Sequence, residues 1–195
     1  MVYVFLAKGF EEIEALAPVD ILKRAGVEVY TVAVPAADDT EEDIKMKKVT
    51  GRSGISVIAD MYFEEADFDK CEMIVLPGGM PGTTNLMANE ELVANVKKFA
   101  ATEGAAAEKY VGAICAAPMI LGENGLLEGK RATIYPGMEE HLVGAFSMKN
   151  RVVVDGNLIT SRGAGTAMDF AAELAAILAG KEKAEEVMQS VVMGR

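Results

Sequence analysis

A chain of 195 residues with 51% hydrophobic content can bury one substantial core, and its length fits a single domain over 1–195. With 30 Asp and Glu against 19 Lys and Arg the net charge is −11, and the basic residues form no cluster, so nucleic acid and membrane surfaces are excluded as expected partners. No apolar run reaches the roughly 18 residues that cross a bilayer, the first ten residues lack a secretory leader, and two cysteines with one histidine fall short of a zinc site, so a soluble cytoplasmic protein without metal or cofactor is expected.

In chain order, residues 2–7 form a short apolar run closed by Lys8-Gly9, the pattern of a strand buried on both faces of a parallel sheet. Residues 11–25 carry Ile13, Leu16, Val19 and Leu22 at three-residue intervals and stop at Gly26; this predicts a helix, which Pro18 should kink or restart. Residues 27–34 read as a second strand, completing a right-handed βαβ unit. The run 38–43, with five acids in six residues, reads as a solvated loop with a disordered tip. Residues 49–60, containing Gly51 and Gly54, read as an irregular strand or hairpin at a sheet edge.

Residues 73–76 form a third strand, broken by Pro77-Gly78-Gly79-Met80-Pro81-Gly82. An amphipathic helix is predicted over 90–101 and a fourth buried strand over 110–114, ending on Cys115. Beyond it, 118–123 and 138–145 read as helical and 132–135 as extended. Residues 152–154 and 158–160 read as a hairpin about Asp155-Gly156-Asn157, and 166–179 and 181–192 as two long helices. Strands alternating with helices imply a three-layer α/β/α sandwich around a mainly parallel sheet.

Ligands of such sheets bind beyond the carboxyl ends of the strands, and three features fall there: 9–14, Gly78-Gly79 and 115–118. Cys115 follows a strand and precedes small residues that open a helix, the layout of a nucleophile elbow with sulfur in place of hydroxyl. The helix N-terminus is expected to lower its pKa and favour the thiolate. The alternative is that Cys115 is a small core hydrophobe. Cys71, among Asp69, Lys70 and Glu72, reads as structural, with flanking acids raising its pKa.

The Gly78-Gly79 pair can present bare backbone N–H groups to an oxyanion, and if the third and fourth strands are neighbours the Gly79 and Ala116 amides flank one atom beside the sulfur. Glu11 and Glu12 read as complements to the helix dipole. Glu14 is placed to face the strand ends, where burial would raise its pKa and make it a proton donor. The turn 161–166 offers Arg162 to an anion or, equally, is a capping turn with Arg162 in a salt bridge. His141 reads as a surface residue.

With Leu-Ala-Lys-Gly-Phe-Glu-Glu-Ile-Glu at 6–14, Leu-Pro-Gly-Gly at 76–79, Ala-Ile-Cys-Ala-Ala-Pro at 113–118 and Thr-Ser-Arg-Gly-Ala-Gly-Thr at 160–166, the chain resembles the ThiJ/PfpI family, on the branch of the Parkinson-disease protein deglycase. The resemblance implies a flavodoxin-like sandwich akin to class I glutamine amidotransferases, assembled as a homodimer. It also implies Cys115 as nucleophile, Glu14 as protonated partner and an oxyanion pocket at Gly79 and Ala116. The activities implied are glyoxalase or deglycase chemistry on a small carbonyl or modified protein, redox sensing or chaperone-like protection through Cys115 oxidation, and intracellular peptide hydrolysis. Two positions depart from the family pattern. Ala116 stands where the proteolytic branch has a His after the Cys, removing the Cys-His pair. Tyr135 precedes Pro136 where the deglycase branch has a His, leaving Tyr135 as an auxiliary hydrogen-bond donor.

Overall fold

The computed structural model describes residues 1–101 and 109–193. The elements are β1 (Val2–Leu6), α1 (Glu12–Arg24), β2 (Val29–Ala33), α2 (Glu41–Lys45), β3 (Lys48–Thr50), β4 (Ser56–Ile58), β5 (Met61–Tyr62), β6 (Met73–Leu76), α3 (Gly82–Ala88) and α4 (Glu90–Ala100). They continue with β7 (Tyr110–Ile114), α5 (Pro118–Glu123), β8 (Arg131–Ala132), β9 (Phe146–Ser147), β10 (Val152–Asp155), β11 (Leu158–Ser161), α6 (Ala167–Ala179) and α7 (Lys181–Ser190). A seven-stranded sheet runs β10-β11-β7-β6-β1-β2-β5, parallel throughout except for β10, which returns antiparallel to β11.

The apolar run of β1 is continuous because both its faces are covered. Tyr3 and Phe5 point into a core with Leu86, Leu92, Val96, Phe99 and Ile120 of α3, α4 and α5; Phe5 stacks on Phe68 at 5.8 Å between ring centres. Val2, Val4 and Leu6 point the other way, onto Ala15, Ile21, Phe170, Leu174 and Val187 of α1, α6 and α7. This is the expected flavodoxin-like α/β/α sandwich. Gly112 lets α6 lie close on β7, since a Cβ there would stand 3.0 Å from the Phe170 ring.

Four expectations need correction. First, α1 does not restart at Pro18, which is buried inside one continuous helix and lacks the N–H that would have bonded the Glu14 carbonyl. Second, its buried face is Glu12, Glu14, Ala15, Pro18, Ile21 and Leu22, while Ile13 is 55% and Leu16 38% exposed. The helix is rolled to bury two carboxylates in its first turn rather than its apolar stripe. Third, the acidic run is not a bare loop. Thr40 caps α2 by accepting from the Asp43 N–H (3.1 Å), Asp43 pairs with Lys48 (3.0 Å) and Asp38 with Lys8 (2.7 Å). Fourth, 138–145 forms only a 3₁₀ turn at Glu139–His141, bracketed by Gly137 and Gly144 at φ 90° and 78°, left-handed conformations that end a helix. The predicted hairpin at 49–60 forms as β3-β4, a separate two-stranded sheet.

Candidate active site

β7, β6 and β1 lie side by side, and the strand order reverses between β1 and β6, since the chain leaves β1 for β2 on one side and returns to β6 on the other, so the loops leaving their carboxyl ends converge. The structure thus brings 9–14, Gly78-Gly79 and Cys115-Ala116 together, as the three motifs predicted.

Cys115 is held at φ 63°, a left-handed conformation that a non-glycine residue adopts at a cost of about 1–2 kcal/mol. Two backbone bonds fix it there: its N–H donates to the Ser161 carbonyl (2.9 Å), and its carbonyl accepts from the Tyr135 N–H (2.9 Å). This is the strand-to-helix elbow; the side chain is half-buried at the head of α5.

Gly78 is the hinge pin of the constellation. A Cβ on it would lie 2.6 Å from the Cys115 Cβ and 2.7 Å from the Glu14 Oε2, so only hydrogen fits between sulfur and acid. Its N–H donates to Glu14 Oε2 (2.9 Å), and its carbonyl accepts from the Glu11 N–H (2.9 Å). Gly79, at φ 89°, packs its Cα against the 9–11 backbone, where a Cβ would come within 2.5 Å of the Gly9 carbonyl. The Gly79 and Ala116 amides both donate toward the Cys115 sulfur.

Glu14 is 1% exposed and hydrogen-bonds the Cys115 side chain. Burial raises its carboxyl to about 7, opposed by the bonds from Cys115 and the Gly78 amide. The Cys115 thiol is pushed up to about 12, first by burial and then by the Glu14 carboxylate beside it, against the pull of the Ala116 and Gly79 amides. The expected depression of the thiol by the helix end is therefore overturned. Desolvation and a neighbouring anion outweigh a six-residue helix.

The two groups act as a pair that gives up one proton near neutrality and resists losing the second. The carboxyl at about 7 loses its proton first, so the pair carries its single charge on Glu14, and the two amides at the sulfur are donors for charge that moves there.

Tyr135 stands at the mouth, 50% exposed, its ring beside Gly163 and its backbone tied to Cys115. The turn from β11 to α6 is a capping turn: Thr166 Oγ1 accepts from the Gly163 N–H (3.1 Å) and bonds Ser161 Oγ (2.7 Å). Arg162 donates to the Lys149 carbonyl (3.2 Å) and makes no salt bridge among the described residues. His141 bonds Glu123 through Nδ1 (2.6 Å).

Cys71 is fully buried and raised to about 11, by burial rather than by the flanking acids, and donates to the Met73 carbonyl (3.2 Å). No group of His, Cys, Asp and Glu among the described residues is arranged to hold a metal ion, and none of their helices is long and apolar enough to cross a membrane.

Sequence reasoning missed Arg52 and Glu12. Arg52, at the tip of the β3-β4 hairpin, reaches Glu11 (3.5 Å), and its charge draws the Glu14 carboxyl down. The buried Glu12 Oε1 accepts from the Ser53 and Ile55 N–H groups (2.9 and 3.3 Å). The signal available was a Gly51-Arg52-Ser53-Gly54 tip in a segment otherwise read as an edge.

Residues 1–177 match the profile of the DJ-1/PfpI family. The chain is 38% identical over 193 residues to protein DJ-1 homolog B of Arabidopsis thaliana, covering 98% of itself and 41% of that longer protein, so it spans less than half of that relative. It is 35% identical over 163 residues to a deglycase of Pyrococcus abyssi, covering 83% of itself and 89% of that protein. Among solved structures, oxidized DJ-1 of Toxoplasma gondii superposes with a TM-score of 0.87 at 32% identity, covering 100% of this chain and 98% of that one.

Proposed function

The chain belongs to the DJ-1/PfpI family, and from that premise we propose that it is a cysteine-dependent enzyme acting on reactive carbonyls, of the glyoxalase or deglycase type, through Cys115 and Glu14. The observation that carries this reading is the buried Glu14 carboxyl, raised to about 7 and bonded to the Cys115 side chain. A carboxyl that titrates near neutrality beside a thiol can take the sulfur's proton and hand it to the aldehyde oxygen, the exchange that addition to an aldehyde needs.

The Glu14 carboxylate takes the Cys115 S–H proton, the freed sulfur electron pair attacks the aldehyde carbon, and the π electrons of the C=O bond move to oxygen. The Gly79 and Ala116 N–H groups stabilise that oxyanion, and Glu14 delivers a proton to it, giving a neutral hemithioacetal. For a 2-oxoaldehyde the net change is addition of one water to give a 2-hydroxycarboxylate, an internal oxidation and reduction that needs no external electron carrier. The test is consumption of methylglyoxal by the parent and by Cys115→Ala. Loss of turnover supports the reading, and unchanged turnover overturns it.

A second reading, redox sensing, is favoured by the same two amides, which are positioned for the oxygens of a Cys115 sulfinate as well as for an oxyanion. Mild peroxide should add two oxygens at Cys115 before any at the buried Cys71. Peptide hydrolysis is not supported: Ala116 follows the nucleophile, and His141 is engaged by Glu123.

The partner expected is a second copy of the chain. Ile13 and Leu16 on α1, with Ile55 (57% exposed) and Ile58 (54%) on the hairpin that Glu12 ties to it, form an apolar surface suited to a homodimer. Light scattering should give twice the chain mass, and Ile13→Asp should halve it.

A further inference from the structure

Two of the carboxylates that open α1 face opposite neighbours. Glu14 meets the thiol, and Glu12, 5% exposed, takes no part in that pair. Its Oε1 instead accepts from two N–H groups of the hairpin tip, those of Ser53 and Ile55, and its buried Oε2 has no partner among the described residues. The tip is shaped to receive it, since a Cβ on Gly51 would lie 2.4 Å from Oε1. Backbone bonds extend the seam on either side: Gly9 N–H to the Thr50 carbonyl and Arg52 N–H to the Phe10 carbonyl, both 2.8 Å. Between these anchors the chain presents Arg52, whose guanidinium lies 3.5 Å from Glu11.

We propose that Glu12 is a positioning residue for the site: its carboxylate latches the 51–55 turn onto the first turn of α1 and thereby holds the Arg52 guanidinium on Glu11 at the edge of the Cys115–Glu14 pair. The proposal rests on the reading of Glu14 as the acid of that pair and adds the device that sets its protonation. The groups facing the Glu14 carboxyl are Cys115 from the β7-α5 turn, Glu11 from its own helix and Arg52 from the hairpin. The β6 and β11 ends bring the Gly78 and Gly163 backbones and the Tyr135 ring, with Arg162 engaged by the Lys149 carbonyl. Glu11 pushes the Glu14 carboxyl up and Arg52 pulls it down, so a hairpin set loose would leave the Glu11 charge uncompensated.

The experiment is a carbon-13 NMR titration of the Glu14 carboxyl, assigned with Glu14→Gln, in the parent, Glu12→Ala, Glu12→Gln, Arg52→Met and the Glu12→Ala/Arg52→Met double variant. Glu12→Ala and Arg52→Met should each raise the midpoint by about 0.5 unit, a roughly threefold loss of ionised Glu14 below it. The double variant should shift no further than Arg52→Met alone, because the first acts through the second. Glu12→Gln still accepts the two N–H bonds and should keep the parent midpoint.

An unmoved midpoint in Arg52→Met overturns the proposal, as does an unmoved Glu12→Ala beside a shifted Arg52→Met, or additive shifts in the double variant. If Glu12→Ala does not fold, Arg52→Met and Glu12→Gln still decide it, a raised midpoint in Glu12→Gln counting against the latch. Failure of the carbonyl reading is seen separately, in turnover that survives Cys115→Ala.

Discussion

The two cysteines sit at opposite ends of neighbouring central strands, Cys71 before the amino end of β6 and Cys115 just past the carboxyl end of β7. Burial drives both thiols upward, to about 11 and about 12. By that measure they are alike, and each also has two backbone bonds that favour its thiolate, Met73 and Tyr3 at Cys71 and Ala116 and Gly79 at Cys115; only Cys115 adds a buried acid and a left-handed backbone. Desolvation alone makes an inert core thiol. What separates a site from a core position here is a second titratable group sharing its proton at an elbow open to the strand ends.

Replacing the sulfur breaks that comparison most severely. Cys115→Ala should lower methylglyoxal turnover by on the order of 10³-fold or more, and Cys71→Ala should leave it within about twofold. Equal losses would mean that turnover follows stability rather than chemistry. Glu14→Gln should cost turnover on the order of 10²-fold by removing the proton donor.

The same variant sharpens the electrostatic half of the contrast. Glu14 has a folded-state pKa near 7 against 4.5 unfolded, so the stability it supplies is complete below about pH 4.5 and is lost as pH rises through 7. Glu14→Gln removes that dependence and should therefore exceed the parent in stability at pH 8 by up to about 3 kcal/mol, read by urea denaturation at pH 4.5 and 8. A parent curve flat across that range would show the carboxyl unshifted.

Gly78→Ala tests the close approach itself. A methyl group within 2.6 Å of the Cys115 Cβ must push sulfur and acid apart, at a cost of about 1–3 kcal/mol and with loss of the coupled titration near pH 7. The smallest effect belongs to Cys71→Ala, a cavity of about one sulfur atom worth on the order of 1 kcal/mol in thermal denaturation.

Much of this was legible before any coordinates. Buried parallel strands announce themselves as unbroken apolar runs, and the residues just beyond three of them named the dyad and both amide donors. Gly82–Ala88 was missed because Gly-Thr-Thr-Asn carries little helical signal and is helical here through tertiary packing, Leu86 and Thr83 being fully buried. The roll of α1 was missed because Ile13 and Leu16 spell an apolar stripe that does not face this chain's core. The direction of the thiol shift was misjudged because a helix terminus is visible in sequence, whereas the depth at which its neighbour is buried is not. Arg52 lies about forty residues from the acid it tunes, a separation only the fold closes.

The left-handed backbone at Cys115 carries a consequence for sequence drift. Glycine alone occupies that conformation freely, so Cys115→Gly would relax the elbow while erasing the nucleophile. Random change that favours a calmer fold runs, at this position, directly toward a silent protein.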